Sequence, residues 1–113
     1  MNFKKSIDYS RKTQKSIKYA LKQKLQIVTI HSHPDSFPPS IEDLNSNYKH
    51  KYLLGVICCH DGKIFIYSSE EYIDENYFHM CVSNYKKDGY NDYEAQIMAL
   101  DKIQKRHNIY IKE

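Results

Sequence analysis

The chain has 113 residues, of which 41% are hydrophobic and 27% are charged, with a formal net charge of +3; these values are typical of one globular domain. The longest apolar run, YLLGVICC, is much shorter than the roughly 20 residues of a membrane span, and the N-terminus lacks the apolar block of a secretion signal. Three cysteines, two of them adjacent, fit no disulfide framework, so we expect a cytoplasmic protein with reduced thiols.

The first predicted element is a helix over residues 10–24, with Ile17, Leu21 and Leu25 on its apolar side. Seven Lys and one Arg precede the first predicted strand, against a single acid, Asp8. Such a segment can neutralise phosphates in a nucleic acid. The charges recur around the predicted helix, however, which favours a solvated polar face. We therefore do not predict nucleic-acid binding.

The next segment, QIVTIH, is rich in β-branched residues and predicts a strand that carries His31 and His33 at its C-terminal end. Because side chains alternate along a strand, both imidazoles should lie on one face. Prolines at positions 34, 38 and 39 exclude regular structure and predict a rigid loop over residues 34–39. A short helix should begin at Ser40.

The following elements predict a small mixed sheet. Residues 52–59 have the composition of a buried central strand, and the turn HDG joins them to KIFIYS, so residues 52–68 should form a β-hairpin. A helix should start at Ser68 or Ser69, with Glu71 as its capping partner, and end at Gly89. The apolar residues expected on its buried side are Ile73, Tyr77, Met80, Cys81 and Tyr85.

The last helix should start near Asn91, with Glu94 three residues later, and the segment IYIK should add an edge strand. This helix repeats apolar residues at Tyr93, Ile97, Leu100 and Ile103. The element order predicts an α/β sandwich with a small mixed sheet flanked by helices. We expect one domain over residues 1–113, with its motif core in residues 25–68 and a helical part in residues 69–113.

The residues with the clearest chemical potential surround the proline-rich loop. Zinc binds neutral imidazoles and carboxylates, and a catalytic zinc keeps one position open for water. His31 and His33 supply two nitrogens, and Asp43 in the first turn of the next helix can supply a carboxylate. The hydroxyl of Ser40 could donate to the oxyanion formed when water attacks a carbonyl. Ser40 and Asp43 also spell a helix capping box, which alone would explain both residues.

Other candidate residues have simpler explanations. His60 belongs to the HDG turn, and Cys58 and Cys59 point to opposite faces of a strand, without the C-x-x-C spacing of zinc sites. The two cysteines are expected to be core and near-surface thiols. The remaining histidines should face solvent: His50, His79 and His107. No glycine-rich phosphate-binding motif occurs.

The sequence HSHP over residues 31–34, followed by SIED over residues 40–43, resembles the signature of the JAB/JAMM (MPN-type) metallopeptidases, whose fold is also found in RadC proteins. With the following LLGVICCHDGKIFIYSSEE, it is similar to the JAMM-like domain at the C-terminal end of phage head-morphogenesis (minor capsid, MuF-type) proteins, over residues 25–100. The resemblance implies a JAMM/cytidine-deaminase-like sandwich. By the same resemblance, the zinc ligands are His31, His33 and Asp43, and the oxyanion donor is Ser40.

The sequence departs from the family pattern at one position. JAMM peptidases carry a glutamate on an earlier strand as general base, whereas no glutamate here precedes Glu42. Asp8 is the only acid upstream of the strand that carries the two histidines, and Glu42 should face away from the metal because adjacent helical residues point about 100° apart. The expectation is a domain that lacks the first strands of the fold and hydrolyses weakly or not at all alone. Its open sheet edge would favour self-association or strand addition by a partner.

Three functions remain open from the sequence. The first is a zinc-dependent peptidase or isopeptidase acting on a protein or peptide, with phage capsid proteins as partners and a location in the cytoplasm or the virion. The second is a non-catalytic JAMM-like module that binds a protein partner. The third is a DNA-associated, RadC-like accessory domain.

Overall fold

The computed structural model describes residues 26–113 together with Lys15 and Lys18. Residues 26–113 contain four strands and three helices. Their order is β1 (Val28–His33), α1 (Ile41–His50), β2 (Leu54–Cys59), β3 (Ile64–Ser69), α2 (Glu75–Lys87), α3 (Asp92–Arg106) and β4 (Ile109–Lys112). This arrangement is a small mixed α/β domain.

The strands form one mixed sheet in the order β1-β2-β3-β4. β1 and β2 are parallel, whereas β2 pairs antiparallel with β3, and β3 pairs antiparallel with β4. Parallel neighbours need a crossover connection, which α1 provides between β1 and β2. The predicted strand before the proline loop, the β-hairpin and the C-terminal edge strand are therefore confirmed.

The core lies between the helices and one face of the sheet. Ile57 and Phe65 on the central strands pack with residues of α1, α2 and α3 in one buried cluster. Gly55 is required because its Cα faces the ring of buried Tyr67: a Cβ there would lie 2.0 Å from a ring carbon. β1 joins this core through its pairing with β2, which places His31 opposite Ile57 and His33 opposite Cys59.

The predicted start of the first long helix is wrong. β3 continues to Ser69, because pairing with β4 keeps Ser68 and Ser69 in the strand. α2 begins only after Asp74, whose side chain accepts a hydrogen bond from the backbone N–H of Tyr77 at 2.9 Å. Glu71 lies in the connecting segment, outside any cap of α2.

The later start of α2 also changes which residues it buries. Met80 is 60% exposed, against the prediction, because Phe78 and Cys81 form the buried side of the helix. Tyr77 and Tyr85 pack against the core as predicted. Ile73 is buried as well, but it lies in the loop before α2. Gly89, with φ of 104°, follows the C-cap residue of α2, so the predicted end of this helix is confirmed.

The last helix follows the prediction closely. α3 begins after Asn91, whose side chain and that of Glu94 form a reciprocal capping box. Its buried residues include Leu100 and Ile103, whereas Tyr93 and Ile97 are half-buried.

Within the helix predicted over residues 10–24, the structure describes only Lys15 and Lys18, both in helical conformation, whereas Ile17, Leu21 and Leu25 lie outside the described residues, as does Asp8. Among the helices that the structure describes, none has the length and apolarity needed to cross a lipid bilayer.

Candidate metal centre

Three side chains from the two sides of the proline loop converge on one point. His31 Nε2 and His33 Nε2 lie 3.2 Å apart at the end of β1. The Asp43 carboxylate approaches both rings from α1, with Oδ1 at 3.5 Å from His31 Nε2 and Oδ2 at 3.6 Å from His33 Nε2. In the described part of the chain, these three residues form a group of potential metal ligands whose ligand atoms all lie within 4.8 Å of one another.

Part of these separations can be compared with the geometry of a tetrahedral zinc site. Zinc–nitrogen and zinc–oxygen bonds of about 2.0 to 2.2 Å place tetrahedral ligand atoms about 3.3 to 3.6 Å apart. The distances from His31 Nε2 to His33 Nε2, 3.2 Å, and to Asp43 Oδ1, 3.5 Å, are close to that range, whereas His33 Nε2 lies 3.6 Å from the other carboxylate oxygen, Oδ2. Two imidazoles and one carboxylate also form a donor set that zinc accepts in catalytic sites, with a fourth position left for water. The donor types, with ligand atoms within 4.8 Å of one another, are therefore those of a group that could hold a zinc ion.

The strand and the helix position the donors by different local rules. His31 and His33 share a face because they are two residues apart on β1, whose pairing with β2 runs to His33. Asp43 is set by the N-terminus of α1, where Ser40 is the N-cap residue. The Ser40 hydroxyl accepts from the Asp43 backbone N–H at 3.0 Å, and the Ser40 backbone N–H donates to Asp43 Oδ2 at 2.9 Å.

The capping interpretation and the metal interpretation of Asp43 are therefore compatible. Oδ2 accepts the hydrogen bond that closes the capping box, whereas Oδ1 is directed towards His31. A ligand carboxylate whose second oxygen is held by a hydrogen bond has a restricted orientation, which is the usual arrangement around protein metals. The helix cap thus fixes the carboxylate that faces the imidazoles.

A backbone carbonyl holds the second imidazole. His33 Nδ1 lies 3.0 Å from the carbonyl oxygen of Phe37, which can only accept a hydrogen bond. The neutral ring must therefore carry its proton on Nδ1, so that the lone pair of Nε2 faces His31 and Asp43. Pro38 and Pro39 are buried directly after this carbonyl and limit its movement.

The electrostatics of the group favour an ionised carboxylate. Burial raises the pKa of the Asp43 carboxyl, but the hydrogen bonds with His31 and His33 outweigh that effect, and the pKa falls below its ordinary value of 3.8. The hydrogen bond with Asp43 in turn raises the pKa of His33 above 6.5, although burial opposes this shift. A divalent cation would replace the proton that the negative carboxylate otherwise attracts to His33.

No protein-family model, no curated protein and no solved structure matches this chain.

The other residues considered in the sequence lie outside the cluster. Glu42 is exposed on α1, as expected, and His60 is exposed in the turn between β2 and β3. Cys59 is buried and Cys58 is half-buried, and both are free thiols, which confirms the expected core and near-surface positions.

The three isolated histidines were all expected to face solvent, which holds for His79 alone. His50 is half-buried and stacks on Tyr52, with ring centroids 5.0 Å apart. His107 Nδ1 pairs with the carboxylate of Glu71, 36 residues earlier in the chain. These partners come from tertiary packing, which local sequence patterns do not reveal.

The sequence did not indicate one group that contributes to the site, namely the Phe37 carbonyl that holds His33. Backbone groups leave no trace in residue identity. The available signal was the spacing of four residues between His33 and Phe37 inside a proline-rich loop, because such a short, rigid loop returns its backbone to the histidine.

Proposed function

We propose that this chain is a JAMM-type zinc hydrolase domain that binds one Zn²⁺ through His31, His33 and Asp43 and takes a protein or peptide amide as its substrate. The observation that carries the proposal is the convergence of two imidazole nitrogens and one carboxylate, with one ligand atom from each residue within 4.8 Å of the others. The four-stranded mixed sheet with the ligands at the end of β1 and the start of α1 is consistent with the proposed JAMM/cytidine-deaminase-like sandwich.

The roles of the protein groups follow from their hydrogen bonds. His31 and His33 would offer Nε2 to the metal and Asp43 would offer a carboxylate oxygen, while the capping box keeps that carboxylate in place. Zinc held there would polarise a carbonyl oxygen and activate water for attack on an amide. The Ser40 hydroxyl accepts from the Asp43 N–H, and among the described residues no acceptor takes its proton. Ser40 can therefore donate that proton to a developing oxyanion.

The cluster itself supplies no second carboxylate as general base. The cluster holds a single carboxylate, that of the ligand Asp43, and Glu42 is exposed beyond it. Loss of a positioned general base costs about 10² to 10⁴ in rate. We therefore propose slow hydrolysis by the isolated chain, with full activity requiring a carboxylate from outside the cluster.

The presence of a single carboxylate in the cluster also favours a second candidate. This is a non-catalytic JAMM-like module that binds a protein partner and in which the metal stabilises the loop and α1. In either case the motif resemblance suggests a phage head-morphogenesis context, with a capsid protein as the partner. The two candidates differ in one measurable property, because the hydrolase turns over an amide substrate when loaded with zinc and the binding module does not.

Zinc binding tests the shared part of the proposal. The purified chain should hold about one equivalent of zinc by elemental analysis and titration calorimetry, and Asp43→Ala should abolish the stoichiometric binding. Glu42→Ala is the matched control, since it removes the neighbouring acid from the same helical turn and should leave binding unchanged. A chain that binds no zinc, or that binds it equally in both variants, would overturn the assignment.

Hydrolysis then separates the two candidates. The zinc-loaded chain is incubated with a denatured-protein substrate and with isopeptide-linked peptides, before and after treatment with a chelator. Slow, chelator-sensitive cleavage that Asp43→Ala abolishes supports the hydrolase. Stoichiometric zinc without any cleavage supports the binding module.

A further inference from the structure

The carbonyl of Phe37 accepts two hydrogen bonds from different parts of the fold. The first comes from His33 Nδ1 at 3.0 Å, and the second comes from the thiol of Cys59, with Sγ at 3.8 Å. A carbonyl oxygen has two lone pairs, so both donors can be satisfied at once. The orientation of one imidazole is thereby connected to the end of β2, in addition to its own loop.

Cys59 is well placed to hold this carbonyl. It is the register partner of His33 across the β1–β2 pair, so its side chain lies on the same face of the sheet. Its backbone is fixed by the hairpin turn, with its N–H donating to Lys63 O at 2.8 Å and its carbonyl accepting from Gly62 N at 3.0 Å. The residue is only 7% exposed, and burial raises the pKa of its thiol, which keeps the sulfur protonated as a donor.

The loop residue itself is held by further contacts. The Phe37 backbone N–H donates to Asp35 Oδ1 at 3.1 Å, and the Phe37 ring meets the ring of Tyr93 edge-on, with centroids 5.4 Å apart. The ring and N–H contacts restrain the residue as a whole. The thiol is the contact that acts directly on the carbonyl oxygen shared with His33.

We propose that Cys59 is a positioning residue for the metal centre, whose thiol keeps the Phe37 carbonyl against His33 Nδ1 and so fixes the tautomer and the ring orientation of this ligand. The inference rests on the proposed function in so far as His33 binds zinc. Removal of a group that directly orients a ligand typically lowers metal affinity by about 10- to 100-fold. Cys59 acts through one intermediate carbonyl and is a weak donor, so its loss should lower zinc affinity by about 3- to 10-fold.

The test compares cysteine variants in the full chain. Cys59→Ala removes the donor, whereas Cys59→Ser retains a hydroxyl donor at the same position and should recover most of the zinc affinity. Cys81→Ala is the matched control for loss of a buried thiol, because Cys81 in α2 is 5% exposed. Cys58→Ala controls for a change in the same strand on the opposite face. Zinc affinity is measured by competition with a chromophoric chelator.

A second readout reports on His33 directly and separates positioning from general destabilisation. Nitrogen-15 NMR of the metal-free protein should show the wild-type His33 ring protonated on Nδ1, and Cys59→Ala should give a mixture of tautomers that Cys59→Ser reverses. Equal losses of zinc affinity in Cys59→Ala and Cys81→Ala, or an unchanged His33 tautomer in Cys59→Ala, would overturn the inference. Absence of zinc binding in the wild type would refute the proposed function, and the NMR experiment would still decide whether Cys59 positions His33.

Discussion

Substitution of Ser40 separates its role at the helix terminus from its role in chemistry. In the structure its hydroxyl accepts from the Asp43 N–H at 3.0 Å and so satisfies one of the free donors in the first turn of α1. Ser→Ala at an N-cap costs about 1 kcal/mol, whereas Ser→Gly costs only a few tenths of a kcal/mol. For a domain of this size, a loss of about 1 kcal/mol lowers Tm by about 4 °C.

We therefore expect Ser40→Ala to lower the Tm of the metal-free protein by about 4 °C and Ser40→Gly by about 1 °C, measured by calorimetry or circular dichroism. Both variants lack the hydroxyl, so both should lose any metal-dependent hydrolysis to the same extent. Equal Tm values for Ser40→Ala and the wild type would refute the capping argument. If Ser40→Gly, which has the smaller loss of Tm, also kept more hydrolysis than Ser40→Ala, the assignment of Ser40 to the oxyanion would be refuted.

Three further predictions concern pH, a helix terminus and the core. Because hydrogen bonding with Asp43 raises the pKa of His33 above 6.5, zinc affinity measured by calorimetry should fall about tenfold per pH unit below that raised pKa. The stability of the metal-free protein should instead decrease as the pH rises, because a raised histidine pKa contributes stability that is lost as the pH rises through that pKa. Measurement of Tm across this pH window would detect the loss. Lys51, the C-cap residue of α1, has φ of 55°, so Lys51→Gly should raise the free energy of unfolding by about 0.5 to 1 kcal/mol in urea titrations. Gly55→Ala should lower that free energy by about 1 to 3 kcal/mol, because the new methyl group would clash with the buried ring of Tyr67; an unchanged urea midpoint would contradict the close packing.

Features that depend on neighbouring residues were predictable from the sequence. The shared face of His31 and His33 follows from the period of two along a strand, and the capping pair of Ser40 and Asp43 follows from the helical repeat. The proline loop between them was predictable because proline restricts the backbone wherever it occurs.

Features that depend on distant pairing were not predictable. The start of α2 was misplaced because β3 is extended by pairing with β4, which is some forty positions later. The partner of His107, which is Glu71, and the thiol of Cys59 that reaches the Phe37 carbonyl are also set by tertiary contacts. Local propensity and spacing carry no information on such contacts.

The three donor side chains all come from residues 31–43, one short stretch of the chain. The chain-entropy cost of bringing the ends of a loop together grows with the logarithm of loop length, so a stretch this short is inexpensive to close compared with sites assembled from remote segments. The relative position of the donors depends on the length of this stretch. Insertion or deletion of a single residue between the strand and the helix should therefore abolish the site even in a domain that still folds.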